Sequence, residues 1–409
     1  MEKSKRVWLT RLLTILACLT CLSLAACGAL TTTELNADDL ETAHYFVPGE
    51  TLQEKVDSLV QPMVEDGHTP GVIVGVLLPD GSKTFFGYGV ADQDTGLKPN
   101  GDTLFAIGSL SKGFLGAVTA LLVDEGTLSW DETLRALLPP NTPLSPDAEK
   151  ITLLQLATHT SGLPRQPLTF QTLRYFVEYL FDGENFYRHF DHDYIFDYLA
   201  DFEADNEGQP LYSNIGYGLL GYILERRTGL SVDELLEHKI VGPLGLECTG
   251  YKPETLPCFS TRGHGYAGDQ PKFIPRGQPT PDWHFTPIMK GAAALYSNAG
   301  DLLTFAAAHM KGQRTRFDAV LASNLQVRFP RAARAAAIAW IVDDVEGEPI
   351  AYQVGIVAGY TSYLGIDVRH KTAVVVIQNS FNWDSSVGNK LLLNLRYMSV
   401  RGAFEKKRS

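Results

Sequence analysis

Apolar residues fall into short runs bounded by turn signals at both ends of the chain and recur at helical spacing between them. The stretch "GVIVGVLLPDGSKTFFGYGVAD" holds two β-branched and aromatic runs separated by Pro79-Asp80-Gly81, the pattern of a β-hairpin. Near the other end, "AYQVGIVAGYTSYLGIDVRHKTAVVVIQNS" predicts three more strands, broken at Ala358-Gly359 and at Arg369-His370-Lys371. In the middle, "SKGFLGAVTALLVDEGTL" spaces Phe114, Val118, Leu121 and Leu122 as a helix that stops at Gly126, and "YGLLGYILERRTGLSVDELLEHKI" repeats the theme. "SVGNKLLLNLRYM" predicts a last helix on the sheet. The simplest architecture is a mixed α/β (α+β) fold. One antiparallel sheet joins N- and C-terminal strands, helices flank it, and a helical lobe over about 113–340 leaves a cleft between the layers.

Composition narrows the function classes. A chain of 409 residues with 44% hydrophobic content buries a sizeable core, and its net charge of -12 comes without a Lys/Arg-rich run in the body. This argues against nucleic acid as a partner and for a small-molecule, peptide or ester substrate. The start is basic (Lys3, Lys5, Arg6, Arg11), and the apolar run from Leu12 to Ala26 is short for a membrane span, so residues 1–26 read as an export signal. Leu24-Ala25-Ala26-Cys27-Gly28 resembles the lipobox of bacterial lipoproteins. That resemblance implies lipidation at Cys27 and attachment to a bacterial membrane, with Gly28 pointing to the periplasmic face of the outer membrane in a Gram-negative host. Residues 27–47 then form a polar tether, 48–401 the folded body and 402–409 a basic tail. Cys248 and Cys258 remain in the body, and their spacing leaves pairing open.

The chemistry centres on "GSLSKGF" at residues 108–114. With Ser109 opening the helix, Lys112 lies one turn on and its amine can reach the Ser109 hydroxyl. A serine is a poor nucleophile alone; a desolvated lysine that gives up its proton near neutral pH serves as its base. Ser109 is the only serine in the chain followed three places later by lysine, whereas Ser111 falls on another face. About a hundred residues later, Tyr212, Ser213 and Asn214 stand just before a helical pattern. A phenol can pass a proton between nucleophile and leaving group, and an amide can orient the lysine and bind a substrate carbonyl.

These motifs resemble the serine β-lactamase and penicillin-binding protein superfamily, in its class C β-lactamase-like branch. The resemblance implies a serine β-lactamase-like fold, catalytic roles for Ser109, Lys112 and Tyr212, and substrate binding by Asn214. "ITLLQLATHTSGLP" and "GAAALYSNAGDLLTF" look like further elements of the same branch. Tyr296-Ser297-Asn298 repeats the Tyr-x-Asn pattern but reads as a helix cap. The third motif departs from the pattern. Aligning Gly359-Tyr360-Thr361-Ser362 with the family's strand end puts Gln353-Val354-Gly355 where Lys-Thr-Gly or His-x-Gly is expected, so glycine is kept and the cation is not. Gln353, Gly355 and Ile356 are the expected substrate-binding residues there, with the Ile356 N–H as an oxyanion donor beside that of Ser109. His370-Lys371-Thr372 reads as a solvated hairpin turn.

The leading expectation is therefore an exported serine hydrolase with no cofactor and no metal, working near peptidoglycan through an acyl-enzyme. The branch it resembles contains D-alanyl-D-alanine carboxypeptidase/endopeptidases, D-aminopeptidases, esterases and β-lactamases. The alternative is a membrane-tethered, non-catalytic penicillin- or peptidoglycan-binding relative, supported by the altered third motif. A metal at His189 and His192 is the weakest reading, because further ligands cannot be named. The aromatic insert over about 166–209 reads as a cap beside the cleft.

Overall fold

The computed structural model describes residues 47–204, 210–331, 334–345 and 347–405. The signal, Cys27 and the tether to residue 46 lie outside the described residues, as do 406–409. The body begins at Val47, whose carbonyl takes the Lys55 ammonium at 2.8 Å, one residue inside the expected tether. Helix α1 (Leu52–Glu65) follows, started by a reciprocal cap. Thr51 accepts the Glu54 N–H at 3.2 Å and Glu54 accepts the Thr51 N–H at 3.1 Å.

The hairpin forms where the sequence predicts it, as β1 (Gly71–Leu77) and β2 (Lys83–Gly89). After the short strand β3 (Phe105–Ala106) come α2 (Ser111–Asp124), α3 (Phe170–Asp182), α4 (His192–Ala200) and α5 (Asn214–Thr228). The second half runs through β4 (Tyr296–Ser297), α6 (Ala299–His309), α7 (Arg316–Asn324), β5 (Ala335–Ala336) and β6 (Ile341–Val345). It ends with β7 (Glu348–Val357), β8 (Tyr360–Asp367), β9 (Thr372–Gln378) and α8 (Ser386–Glu405).

The seven-stranded sheet is antiparallel throughout, in the order β2-β1-β9-β8-β7-β6-β5. The central strands β1, β9 and β8 are buried along their whole length, so they read as unbroken apolar runs; β2 at the edge is largely exposed. Register decides which layer each residue meets. Gly75, Val375, Leu364 and Gln353 are directly paired in turn across the sheet and share one face. On that face a Cβ at Gly75 would stand 3.2 Å from Leu303 of α6, and Gln353 packs under α2. The other face carries Tyr363, on which α8 packs through Gly388.

Two expected boundaries are corrected. Helix α6 falls inside the stretch expected to form the helical lobe, yet it packs on β1, β8 and β9 because Leu302, Leu303 and Phe305 need an apolar sheet to bury against. Helix α8 runs on to Glu405, into the expected tail. Cys248 and Cys258 are joined, with Cα atoms 5.7 Å apart. Among the described residues no helix is long and apolar enough to cross a membrane.

Candidate active site

The two serines of "GSLSKGF" take different roles. Ser111 is fully buried; its hydroxyl donates to the Gly108 carbonyl at 2.6 Å and accepts the Leu295 N–H at 3.1 Å, so it is a structural tie. Ser109 sits half-buried in a single turn of 3-10 helix, Gly108–Leu110, that leads into α2. Lys112 is 1% exposed, and its Nζ stands 3.0 Å from Ser109 Oγ and 2.6 Å from the Ala292 carbonyl. Burial, and after it the Arg165 guanidinium, holds the Lys112 amine well below the usual lysine range. A neutral amine at hydrogen-bond distance from a serine hydroxyl can accept its proton, and the N-terminus of a 14-residue helix favours the alkoxide that results.

Tyr212 stands against this pair, and Asn214 begins the helix that follows it. The Tyr212 ring centroid is 4.9 Å from Lys112 Nζ and that of Tyr217 is 5.7 Å away, so α5 and the segment before it wall the amine with aromatic faces. Ser213 caps α5, accepting the Gly216 N–H at 2.9 Å and donating to the Pro164 carbonyl at 2.8 Å. The Asn214 amide donates to the Tyr187 hydroxyl at 2.5 Å, and its Oδ1 is buried without a partner. The second Tyr-x-Asn lies elsewhere: Asn298 accepts the Asp301 N–H at 2.7 Å and caps α6.

The sheet side of the site is made of backbone. Gly108 has φ of 54°, and a Cβ there would stand 2.9 Å from Ile356 N, so only glycine lets the nucleophile turn lie against β7. At Gly355 a Cβ would come within 2.2 Å of the Ile107 carbonyl. Ser362 pins the same carbonyl at 2.8 Å. Gln353 differs from the sequence expectation. It is 5% exposed, shares its face with α2, donates to the Ala339 carbonyl at 3.0 Å, and lies where a Cβ on Gly113 would touch its amide nitrogen at 2.7 Å. Its side chain is therefore a packing and tying group beneath α2, not a donor offered to substrate.

Three further residues flank the site. Arg165 lies over the Tyr212 ring, its Cζ 4.6 Å from the centroid. His159 stacks on the Tyr212 ring, with centroids 4.5 Å apart. Tyr187 comes from the insert, is 5% exposed, and is pushed up to about 12 by burial, so it stays a neutral phenol. The insert itself is sewn to the segment around Trp283, which donates to the Gly183 carbonyl at 3.0 Å, while Asn185 donates to the His284 carbonyl at 2.6 Å. His189 and His192 diverge onto Tyr175 and Tyr222, and no group of three His, Cys, Asp or Glu among the described residues is arranged to hold a metal. His370 sits in the β8–β9 turn with its Nδ1 3.0 Å from Asp367, in a carboxylate network more enclosed than the solvated turn expected.

The family model described as Beta-lactamase matches residues 56–396, which take in Ser109, Lys112, Tyr212, Asn214 and Gly355. A β-lactamase of Providencia stuartii is 28% identical over 204 residues, 48% of this chain and 46% of that protein, so the chain spans about half the length of this relative. The D-alanyl-D-alanine-carboxypeptidase/endopeptidase AmpH of Escherichia coli (strain K12) is 24% identical over 339 residues, 75% of this chain and 78% of that protein. Among solved structures, a class C β-lactamase from Rhodobacter sphaeroides superposes with a TM-score of 0.69 at 23% identity, covering 83% of this chain and 97% of that one. The fold is that of the class C β-lactamases, and the chain belongs to the Beta-lactamase family, a family of serine hydrolases.

Proposed function

We propose that this protein is an exported, lipid-anchored serine hydrolase that forms an acyl-enzyme on Ser109 with a D-amino-acid peptide, amide or ester substrate of the peptidoglycan type. The observation that carries the reading is the buried Lys112 amine 3.0 Å from the Ser109 hydroxyl at the start of α2, its hold on a proton weakened by burial. Lys112 takes the Ser109 proton as Oγ attacks the substrate carbonyl. The Ser109 and Ile356 N–H groups receive the oxyanion, and Tyr212 and Lys112 return the proton to the leaving group. Water then releases the acyl group by the reverse of these transfers. Export to the periplasmic face of a bacterial membrane rests on the leader and on Cys27.

Burial of Gln353 favours a second reading, a tethered relative that binds penicillin or peptidoglycan without turnover, because no cation from the third motif reaches the site. Intact-protein mass spectrometry with a fluorescent penicillin and an activated ester, beside Ser109→Ala, separates the two. A covalent adduct absent from Ser109→Ala and decaying over minutes supports the hydrolase. An adduct that persists supports the binder, and no adduct with either probe overturns the role of Ser109 as nucleophile.

A further inference from the structure

Tyr212 reaches the site on a segment, 210–213, that belongs to no helix or strand, so no ladder of backbone bonds fixes it. One residue grips this segment at three points. The His159 carbonyl accepts the Leu211 N–H at 2.7 Å, His159 Nδ1 accepts the Ser213 N–H at 3.1 Å, and the imidazole lies on the Tyr212 ring at 4.5 Å with 29° between the planes. We propose that His159 is a positioning residue for Tyr212, holding the phenol ring against Lys112 through a neutral imidazole. This rests on the proposed role of Tyr212 in proton transfer.

The local backbone suits the task. His159 follows the short helix Leu153–Ala157 and has φ of 59°, a left-handed conformation in which His is one of the few enriched non-glycine residues. The segment that carries it is anchored independently: the Tyr217 hydroxyl donates to the Ala157 carbonyl at 2.7 Å, and the Ala339 N–H donates to the same oxygen at 2.9 Å. Because Nδ1 accepts a backbone N–H, the ring proton resides on Nε2, which is buried without a partner. An imidazolium would lose the Ser213 bond and would face Lys112 and Arg165 in a buried space. Burial first, then the basic groups of Lys112 and Arg165 beside it, holds His159 well below its ordinary range. The ring therefore carries no proton in the reaction and acts only by fixing where Tyr212 lies. Small misplacements of a catalytic group are costly in rate.

The test uses the full chain and the probe that acylates Ser109. His159→Gly keeps the left-handed backbone and the carbonyl acceptor while removing the ring; His159→Asn keeps a side-chain acceptor. The expected result for His159→Gly is a kcat about 30-fold lower with KM changed less than about 3-fold, and partial recovery with added imidazole. The acid limb of kcat/KM should also move to higher pH, because water reaching Lys112 lets its amine hold a proton more readily. The groups facing the imidazole are Lys112, Arg165, Tyr212 and Tyr217. The deciding measurement repeats the substitution in a Tyr212→Phe background, where its effect should shrink to less than about 3-fold. An equal loss in both backgrounds, or an unchanged kcat in His159→Gly, overturns the proposal. An unimpaired Tyr212→Phe enzyme instead overturns the role of Tyr212 on which it rests. If the glycine variant does not fold, the asparagine variant enters the same cycle and is expected to lose less activity.

Discussion

On the helical side of Ser109, side chains from separate segments meet one another: Lys112 from α2, Tyr212 before α5 and His159 after the short helix Leu153–Ala157, with Asn214 at the start of α5 bonded to Tyr187 of the insert. On the sheet side, β7 meets the nucleophile turn through the backbone of Gly355 and Ile356 and turns the Gln353 side chain down beneath α2. The first wall works by donors, acceptors and a depressed pKa. The second works by the absence of Cβ atoms. A motif search weighs both by residue type, yet exchanging a side chain on the first wall changes chemistry, whereas adding one on the second changes shape.

The sharpest way to break this comparison is Lys112→Met. On the helical side it removes the base but keeps the volume, and acylation of Ser109 should fall at least ~10³-fold, about 4 kcal/mol of barrier, measured by adduct formation against time. The same variant should be more stable than the native protein near neutral pH. With the folded-state lysine pKa lowered, the unfolded chain binds the extra proton between the folded pKa and the ordinary value, so native stability rises with pH across that window. Lys112→Met lacks that rise, and its advantage in denaturant midpoint should vanish once the solution is above the ordinary lysine pKa. An advantage that persists at high pH would mean that the amine is not desolvated as described.

Gly355→Val tests the sheet side. Its Cβ would lie 2.2 Å from the Ile107 carbonyl, so β7 or the nucleophile turn must shift; unfolding in urea should show a loss of about 3 kcal/mol together with impaired acylation. Gln353→Lys sharpens the point. If this position faced substrate, a lysine would restore a carboxylate clamp. Buried beside Gly113 it should instead cost roughly 2 kcal/mol, with no improvement in KM for substrates bearing a free carboxylate. A lower KM for those substrates alone would return Gln353 to the site.

The smallest effect is expected far from either wall. Phe170, Leu173, Val177 and Phe181 form an outward stripe on α3, opposite the buried Thr172, Phe176 and Tyr179, and Phe170 is 86% exposed. Phe170→Ser should change stability by no more than about 0.5 kcal/mol and leave the acylation rate intact, with higher solubility as the visible change.

Much of this was readable from residues alone, and the limits are physical. The β1–β2 hairpin, the three C-terminal strands and α8 carry strong local patterns, and Ser109-x-x-Lys112 at a helix start is a local geometric statement. Helix α1 carries a local signal as well, the capping pair of Thr51 and Glu54. The short strands β5, at the sheet edge, and β6 beside it hold too few residues for alternation to show. The direction of Gln353 depends on register with Leu364, Val375 and Gly75, which no local pattern supplies. The grip of His159 joins residues more than 50 positions apart through backbone groups that every residue has, so its only local trace is a histidine in a turn.

The strand order has a temporal side. β1 lies between β2 and β9, and the Gly71 N–H is held by an asparagine side chain 308 positions along the chain. During synthesis from the N-terminus the first hairpin emerges early, with one long edge of β1 unsatisfied until the last strand, β9, is made. The sheet cannot close gradually, and a ribosome-bound or truncated chain lacking β9 offers that edge to any passing strand.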